Sequence, residues 1–174
     1  MKNSVKITSG KYRGQEILTP GSGTHPMGAR EKLALFNMLA LDLPGAKVLD
    51  AFAGSGALGI EALSRGAESA TFVEKSSVAA HVIKKNLDKL NLNGQAEVVI
   101  SGVEKYFNNK YFDIILADPP YDNFDVAKVQ HLIELLSTDG ILVLSHPGEA
   151  PIFDGATLQK TSTYAGANIS VYYR

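Results

Sequence analysis

Asp118, Pro119, Pro120 and Tyr121 follow directly on the apolar run Phe112-Asp113-Ile114-Ile115-Leu116-Ala117, so a carboxylate, two prolines and an aromatic ring are delivered where a strand ends. The prolines fix φ and lack an N–H, so the turn cannot continue a sheet and its carbonyls stay free to accept hydrogen bonds. Asp118 can accept from an exocyclic amine, and Tyr121 can stack on the ring that carries it. The row fits a planar, amine-bearing substrate. Its competitor is an ordinary Asp-Pro turn followed by a surface tyrosine.

A second constellation lies upstream. Val48-Leu49-Asp50-Ala51 runs as a buried strand into Phe52-Ala53-Gly54-Ser55-Gly56 and then into the helical stretch from Ala57. Gly54, Gly56 and Gly59 have the G-x-G-x-x-G spacing, a weak signal alone, that lets backbone amides approach a ligand at a helix N-terminus. Asp50, just before the glycines, would repel a phosphate, so a cationic or zwitterionic head fits better than a dinucleotide. It can also serve as a strand-end residue bonded to the glycine-loop backbone. Glu74, with Lys75 after it, ends the next apolar run and can accept from both hydroxyls of a ribose; otherwise it caps the helix from Ser77. Ser101-Gly102-Val103, after the third run, would meet an adenine, although Gly102 also reads as a plain turn residue.

These groups need a scaffold, and the hydropathy pattern supplies one. Val5–Thr8 and Gln15–Leu18 flank a basic turn and predict a hairpin; Thr19 to Pro26 is a turn-rich loop; Ala29, Leu33, Phe36 and Ala40 predict a helix over Gly28–Leu41. Strands are expected at 47–51, 69–74, 96–101, 112–117 and 140–145. Helices are expected at 57–65, 77–91, briefly at 103–107, and at 125–137, where Val126, Val129, Leu132, Ile133 and Leu136 share a face. The segments 158–163 and 168–173 form a closing hairpin. Strands alternating with helices mean parallel βαβ units in a sheet covered on both faces.

The 174 residues suffice for one core without staples, and 45% hydrophobic with 20% charged residues excludes a disordered chain. With no cysteine there is no disulfide framework and no thiolate zinc site, and His25, His81, His131 and His146 lack metal-ligand spacing, so no metal is expected. No targeting or membrane-spanning run is present, which predicts a cytoplasmic protein. The net charge of −1 divides unevenly, +4 over residues 1–32 and −5 over the rest. A basic arm on an acidic body suits a local polyanion contact, or a merely solvated extension.

Together, Asp50, Gly54, Gly56, Gly59, Glu74 and Asp118-Pro119-Pro120-Tyr121 resemble the class I S-adenosylmethionine-dependent methyltransferases that modify exocyclic amines of nucleic-acid bases. Gly10-Lys11-Tyr12-Arg13-Gly14, Arg30-Glu31, Leu35-Phe36-Asn37, Gly54 to Gly59 and Glu61-Ala62-Leu63-Ser64-Arg65-Gly66-Ala67 look more closely like the RsmD family, which methylates the N2 amine of one guanine in bacterial small-subunit (16S) ribosomal RNA. The resemblance implies a Rossmann-like α/β fold: a seven-stranded, mostly parallel sheet with an antiparallel C-terminal hairpin and helices on both faces. It divides the chain into an RNA-contacting hairpin and helix extension (1–44) and an S-adenosylmethionine-binding domain (45–174).

By the same resemblance Asp118, Pro119, Pro120 and Tyr121 are catalytic. Asp50, Phe52, Ala53, Gly54, Ser55, Gly56, Glu74, Lys75, Ser101, Gly102, Val103 and Asp118 hold S-adenosylmethionine, released as S-adenosylhomocysteine. Lys11, Arg13, His25, Arg30 and Lys32 contact RNA. The partner is ribosomal RNA, free or in a 30S particle, and the protein a monomer. One departure stands out: the family's Arg-Pro-Thr is His25-Pro26-Met27 here, so a mostly neutral imidazole replaces a guanidinium, and either Arg30 takes over or the substrate contact differs. Rival expectations are DNA adenine-N6 methylation, which uses the same tetrapeptide, methylation of a protein amide, and a catalytically inactive nucleic-acid-binding module.

Overall fold

The computed structural model describes residues 4–21, 27–164 and 167–174. A hairpin of β1 (Ser4–Lys6) and β2 (Glu16–Leu18) leads to helix α1 (Ala29–Met38). The main body then alternates β3 (Lys47–Ala51), α2 (Ala57–Ser64), β4 (Ser69–Glu74), α3 (Ser77–Leu90), β5 (Ala96–Ile100), β6 (Phe112–Ala117), α4 (Val126–Ile133) and β7 (Leu136–His146). It closes with β8 (Thr157–Tyr164) and β9 (Ala167–Tyr173). The seven main strands lie in the order β5-β4-β3-β6-β7-β9-β8, parallel from β5 to β7 and antiparallel at β9 and β8.

Alternation along the strands sorts side chains to the two faces. Val48, Ile114, Leu116, Ile141 and Val143 face one way, onto a core that includes Leu58 and Ile60 of α2, Ile83 and Leu87 of α3, and Ile7, Ile17, Leu35 and Phe36 of the N-terminal extension. Leu49, Ala51, Ile115, Ala117, Leu142 and Leu144 face the other way, beneath Val129, Leu132 and Ile133 of α4. The extension therefore shares one core with the sheet. Ser76 caps α3 by accepting from Ala79 N at 3.3 Å, and Asp125 caps α4 by accepting from Ala127 N at 3.0 Å.

Two expected boundaries are corrected. The helix expected over 125–137 stops at Ile133, and Leu136, placed on its apolar face from sequence, begins β7 opposite Phe112. A register irregularity between Phe112 and Ile114 and a left-handed Asp139 (φ 62°) let the strand run on through the Thr138-Asp139-Gly140 segment that reads as a turn. The short helix expected at 103–107 is a single 3-10 turn, Val103–Lys105.

Candidate active site

The order of strands reverses at β3: one crossover series runs outward through β4 and β5, the other through β6 and β7. Ligands in such sheets bind beyond the carboxyl ends of the strands at this switch point. Ala51 pairs with Ala117, and Ala117 with Leu144, so Phe52 and Asp118 leave the sheet side by side, next to Ser145, which is still within β7.

After β3 the chain turns through left-handed Phe52 (φ 64°), Gly54 (φ 54°) and Gly56 (φ 78°) before entering α2. Gly54 needs that conformation and also leaves space, since a Cβ there would meet only Phe52 O, at 3.9 Å. Gly59 serves packing instead: its Cβ would collide with Phe72 Cε1 at 2.3 Å. Two carboxylates hold the loop and the first turn of α2 from behind. Asp50 Oδ2 accepts from Gly59 N at 2.8 Å, and Glu74 accepts from Gly54 N through Oε2 at 2.8 Å and from Ser76 N through Oε1 at 2.7 Å. Each Glu74 oxygen keeps further acceptor capacity. Asp50 lies inside β3, only 2% exposed, so it supports the loop from within. Ala53 and Ser55 are buried, Phe52 is half-buried and Lys75 exposed. On the next rim segment Ser101 N donates to Glu74 O at 3.1 Å, Ser101 and Gly102 are half-buried, and Val103 is buried.

Across the switch point Pro119 is buried, Pro120 exposed, and Tyr121 begins a 3-10 turn. The Tyr121 hydroxyl bonds Ser145 Oγ, and the Ser145 hydroxyl also acts to lower Asp118. Burial pushes Asp118 up to about 6, with the Ser145 bond offsetting only part of the shift. Asp50 is driven well above the usual carboxylate range by burial, against its Gly59 bond and with added repulsion from Asp118 and Glu74. Burial raises Tyr121, opposed by Ser145 and assisted by the charges of Asp118 and Glu31. Glu31 belongs to α1, so the N-terminal extension reaches the electrostatic surroundings of the tetrapeptide. Asp50 is thus repelled by both neighbouring acids, and among the described residues no lysine or arginine forms an ion pair with Asp50, Glu74 or Asp118.

Lys11 and Arg13 are exposed at the hairpin tip and Arg30 is exposed on α1. Lys32 is a correction. It is 3% exposed, and its Nζ donates to Lys6 O at 2.9 Å and lies 3.3 Å from Glu61 Oε2, so its charge is spent internally and does not reach a phosphate. His25 and Pro26 lie outside the described residues. Sequence reasoning missed Ser145. Its signal was the parallel register that puts the end of β7 beside the end of β6. It also missed Glu61 as the anchor of the extension, for which a buried acid in the middle of an apolar helix was the available sign.

Residues 5–173 match the family model described as "Conserved hypothetical protein 95". The chain is 39% identical over 133 residues to ribosomal RNA small subunit methyltransferase D of Haemophilus influenzae, covering 73% of this chain and 68% of that protein. Against the protein of the same name in Escherichia coli K12 it is 38% identical over 141 residues, covering 79% and 69%. The solved structure of the Escherichia coli methyltransferase candidate yhhF superposes with a TM-score of 0.88 at 30% identity and 98% coverage of both chains. The Rossmann-like class I methyltransferase fold is thereby shared over nearly the whole chain.

Proposed function

Because this chain belongs to the RsmD family of ribosomal RNA methyltransferases, we propose that it transfers a methyl group from S-adenosylmethionine to the N2 amine of a guanine in small-subunit (16S) ribosomal RNA. The enzyme class, an S-adenosylmethionine-dependent RNA methyltransferase, follows from the family; the N2 amine and the residue roles are the reading. The observation that carries it is the meeting, at one switch point, of the glycine loop after β3 and Asp118-Pro119-Pro120-Tyr121 after β6.

When bound, S-adenosylmethionine supplies a methyl group made electrophilic by its sulfonium. The chain's part is to hold and orient. Glu74 accepts from the ribose hydroxyls with the capacity its two amide partners leave. The open face at Gly54 lets the donor approach the backbone, Glu74 holds Gly54 N, and Asp50 ties β3 to the first turn of α2 through Gly59 N. Phe52, Ala53, Ser55, Gly56, Lys75, Ser101, Gly102 and Val103 complete the lining. The carboxylates of Glu74 and Asp118 give the cationic guest its electrostatic match.

An amine attached to a ring is a poor nucleophile because its lone pair is shared with the ring. Asp118 and the Pro119 carbonyl accept its two hydrogens and so direct that lone pair at the methyl, while Tyr121 stacks on the base. Asp118, near 6, is ionised at neutral pH and takes up the proton released after transfer. The base must be unpaired or flipped to enter. Lys11, Arg13 and Arg30 hold phosphates around it, and His25 stands where the family has a guanidinium. The protein works as a cytoplasmic monomer on ribosomal RNA, in the assembled 30S particle or as free RNA; among the described residues no helix is long and apolar enough to cross a membrane.

The test is incubation of undermethylated 30S particles and of naked ribosomal RNA with tritiated S-adenosylmethionine, followed by nucleoside analysis. Label in N2-methylguanine is expected. Label confined to adenine, DNA or protein sinks the reading.

A further inference from the structure

Asn86 stands in the middle of α3 with no exposure to solvent, on the face that carries Ile83, Leu87 and Leu90. An apolar side chain would serve packing there, and asparagine is a poorer helix former than leucine. Both of its donors and one of its acceptor positions are used. Oδ1 accepts from Leu18 N at 2.8 Å, while Nδ2 donates to Leu18 O at 3.0 Å and to Ser55 O at 3.1 Å. Leu18 ends β2, whose strand partner is β1 alone, so the carboxamide acts as a one-residue strand on the other edge. Ser55 is the residue between left-handed Gly54 and Gly56 in the glycine loop.

The other hydrogen bonds from the extension to the body reach elsewhere. Thr8 and Ser9 bond Glu61, Lys11 and Tyr12 bond Ser64, and Glu16 O accepts from Lys89. Among the described residues, Asn86 is the side chain that bonds both the glycine loop and the extension. We propose that Asn86 is a positioning residue that couples the two, so that filling the cofactor site tightens the seat of Leu18, where the chain leaves β2 on its way to α1. The inference rests on the reading of the glycine loop as the cofactor site.

The coupling works through one shared group. A ligand that settles the Gly54–Gly56 backbone fixes Ser55 O, which fixes the rotamer of Asn86, and the same rotamer sets both bonds to Leu18. Asn86 has no spare donor with which to follow a displaced Ser55 carbonyl, so a shift there is felt at Leu18 as a lengthened bond. Coupling of this kind runs both ways: an RNA contact that holds the extension would favour the bound form of the loop by the same factor.

Amide hydrogen exchange, resolved by residue and measured with and without saturating S-adenosylhomocysteine, tests this on the whole protein. Exchange at Gly54 and Gly56 should slow, and exchange at Leu18 should slow with it by at least about 5-fold, while Thr8 and Ser9, anchored on Glu61, stay unchanged. In Asn86→Asp, which keeps an acceptor for Leu18 N but loses both donors, the ligand should still protect the loop and leave Leu18 unmoved. Protection of the loop without any change at Leu18 in the unaltered protein overturns the coupling, whether or not the variant folds. So does a variant that still transmits the change. Absence of protection at Gly54 and Gly56 overturns the cofactor site itself, and the coupling with it.

Discussion

Glu61 and Asp118 are both carboxylates withdrawn from water, and their surroundings push them in opposite directions. Burial alone would raise Glu61, but two bonds from Thr8, the ammonium of Lys32 and the guanidinium of Arg65 outweigh it and hold the acid below its usual range. Burial raises Asp118 to about 6, and one serine hydroxyl offsets only part of that. Glu61 is a charge already met, and it fastens the extension to α2. Asp118 is a charge left short of partners, as the proposed acceptor of the amine hydrogens requires. The same functional group builds the frame in one place and the candidate site in the other, and the number of donors aimed at it decides which.

The contrast breaks most sharply at Asp118. Asp118→Ala should lower methyl transfer by about 1,000-fold while the dissociation constant for S-adenosylmethionine, measured by calorimetry, changes little. Glu74→Ala should instead weaken cofactor binding, and identical behaviour of the two variants would refute the division of roles. Glu61→Gln leaves the Lys32 ammonium buried without its anion and should cost about 3 kcal/mol of stability by denaturant titration, far more than any loss caused by Asp118→Asn.

The two acids should also give stability opposite pH dependence. Asp118 goes from an ordinary 3.8 to about 6 on folding, so the native state holds its proton more tightly and stability falls as pH rises through that window. Replacing it by Asn should remove a decline on the order of 3 kcal/mol between pH 4 and 7. Glu61 is lowered on folding from 4.5. Its contribution is present above that value and is lost as the solution becomes more acid, so Glu61→Gln should flatten the acid side. The smallest effect is at Ser145. Ser145→Ala frees the Tyr121 hydroxyl and removes the bond that holds Asp118 down, so the acidic limb of kcat/KM should move up by about half a pH unit, with a few-fold loss of rate.

Much of the scaffold was legible because local signals agree with the final packing. The strands from Val48 to Ala117 are apolar runs bounded by turns, and the glycine loop and the tetrapeptide each end one of them. Leu136 misled because its spacing from Val129, Leu132 and Ile133 satisfies a helix while its partner is Phe112, a pairing visible only in three dimensions. Lys32 misled for a related reason. A lysine near other cations reads as surface, and only the packing of α1 on α2 turns it toward Glu61. Asn86 gave no sequence signal beyond being polar on an apolar face, since both its partners are backbone groups far away in the chain.

The last strand has a consequence for how the protein comes into being. β9 lies between β7 and β8 although it follows both, pairing with β7 from Ile141 to His146 and with β8 along its length. Until Ala167–Tyr173 is in place, β7 is an open edge and β8 has no neighbour in the sheet. Ser145, on which Asp118 and Tyr121 both lean, belongs to that unfinished edge. During synthesis the half around the glycine loop can assemble early, whereas the rim at Asp118 and Tyr121 becomes firm only as the final residues insert. A chain interrupted before Ala167 should therefore hold the cofactor better than it uses it.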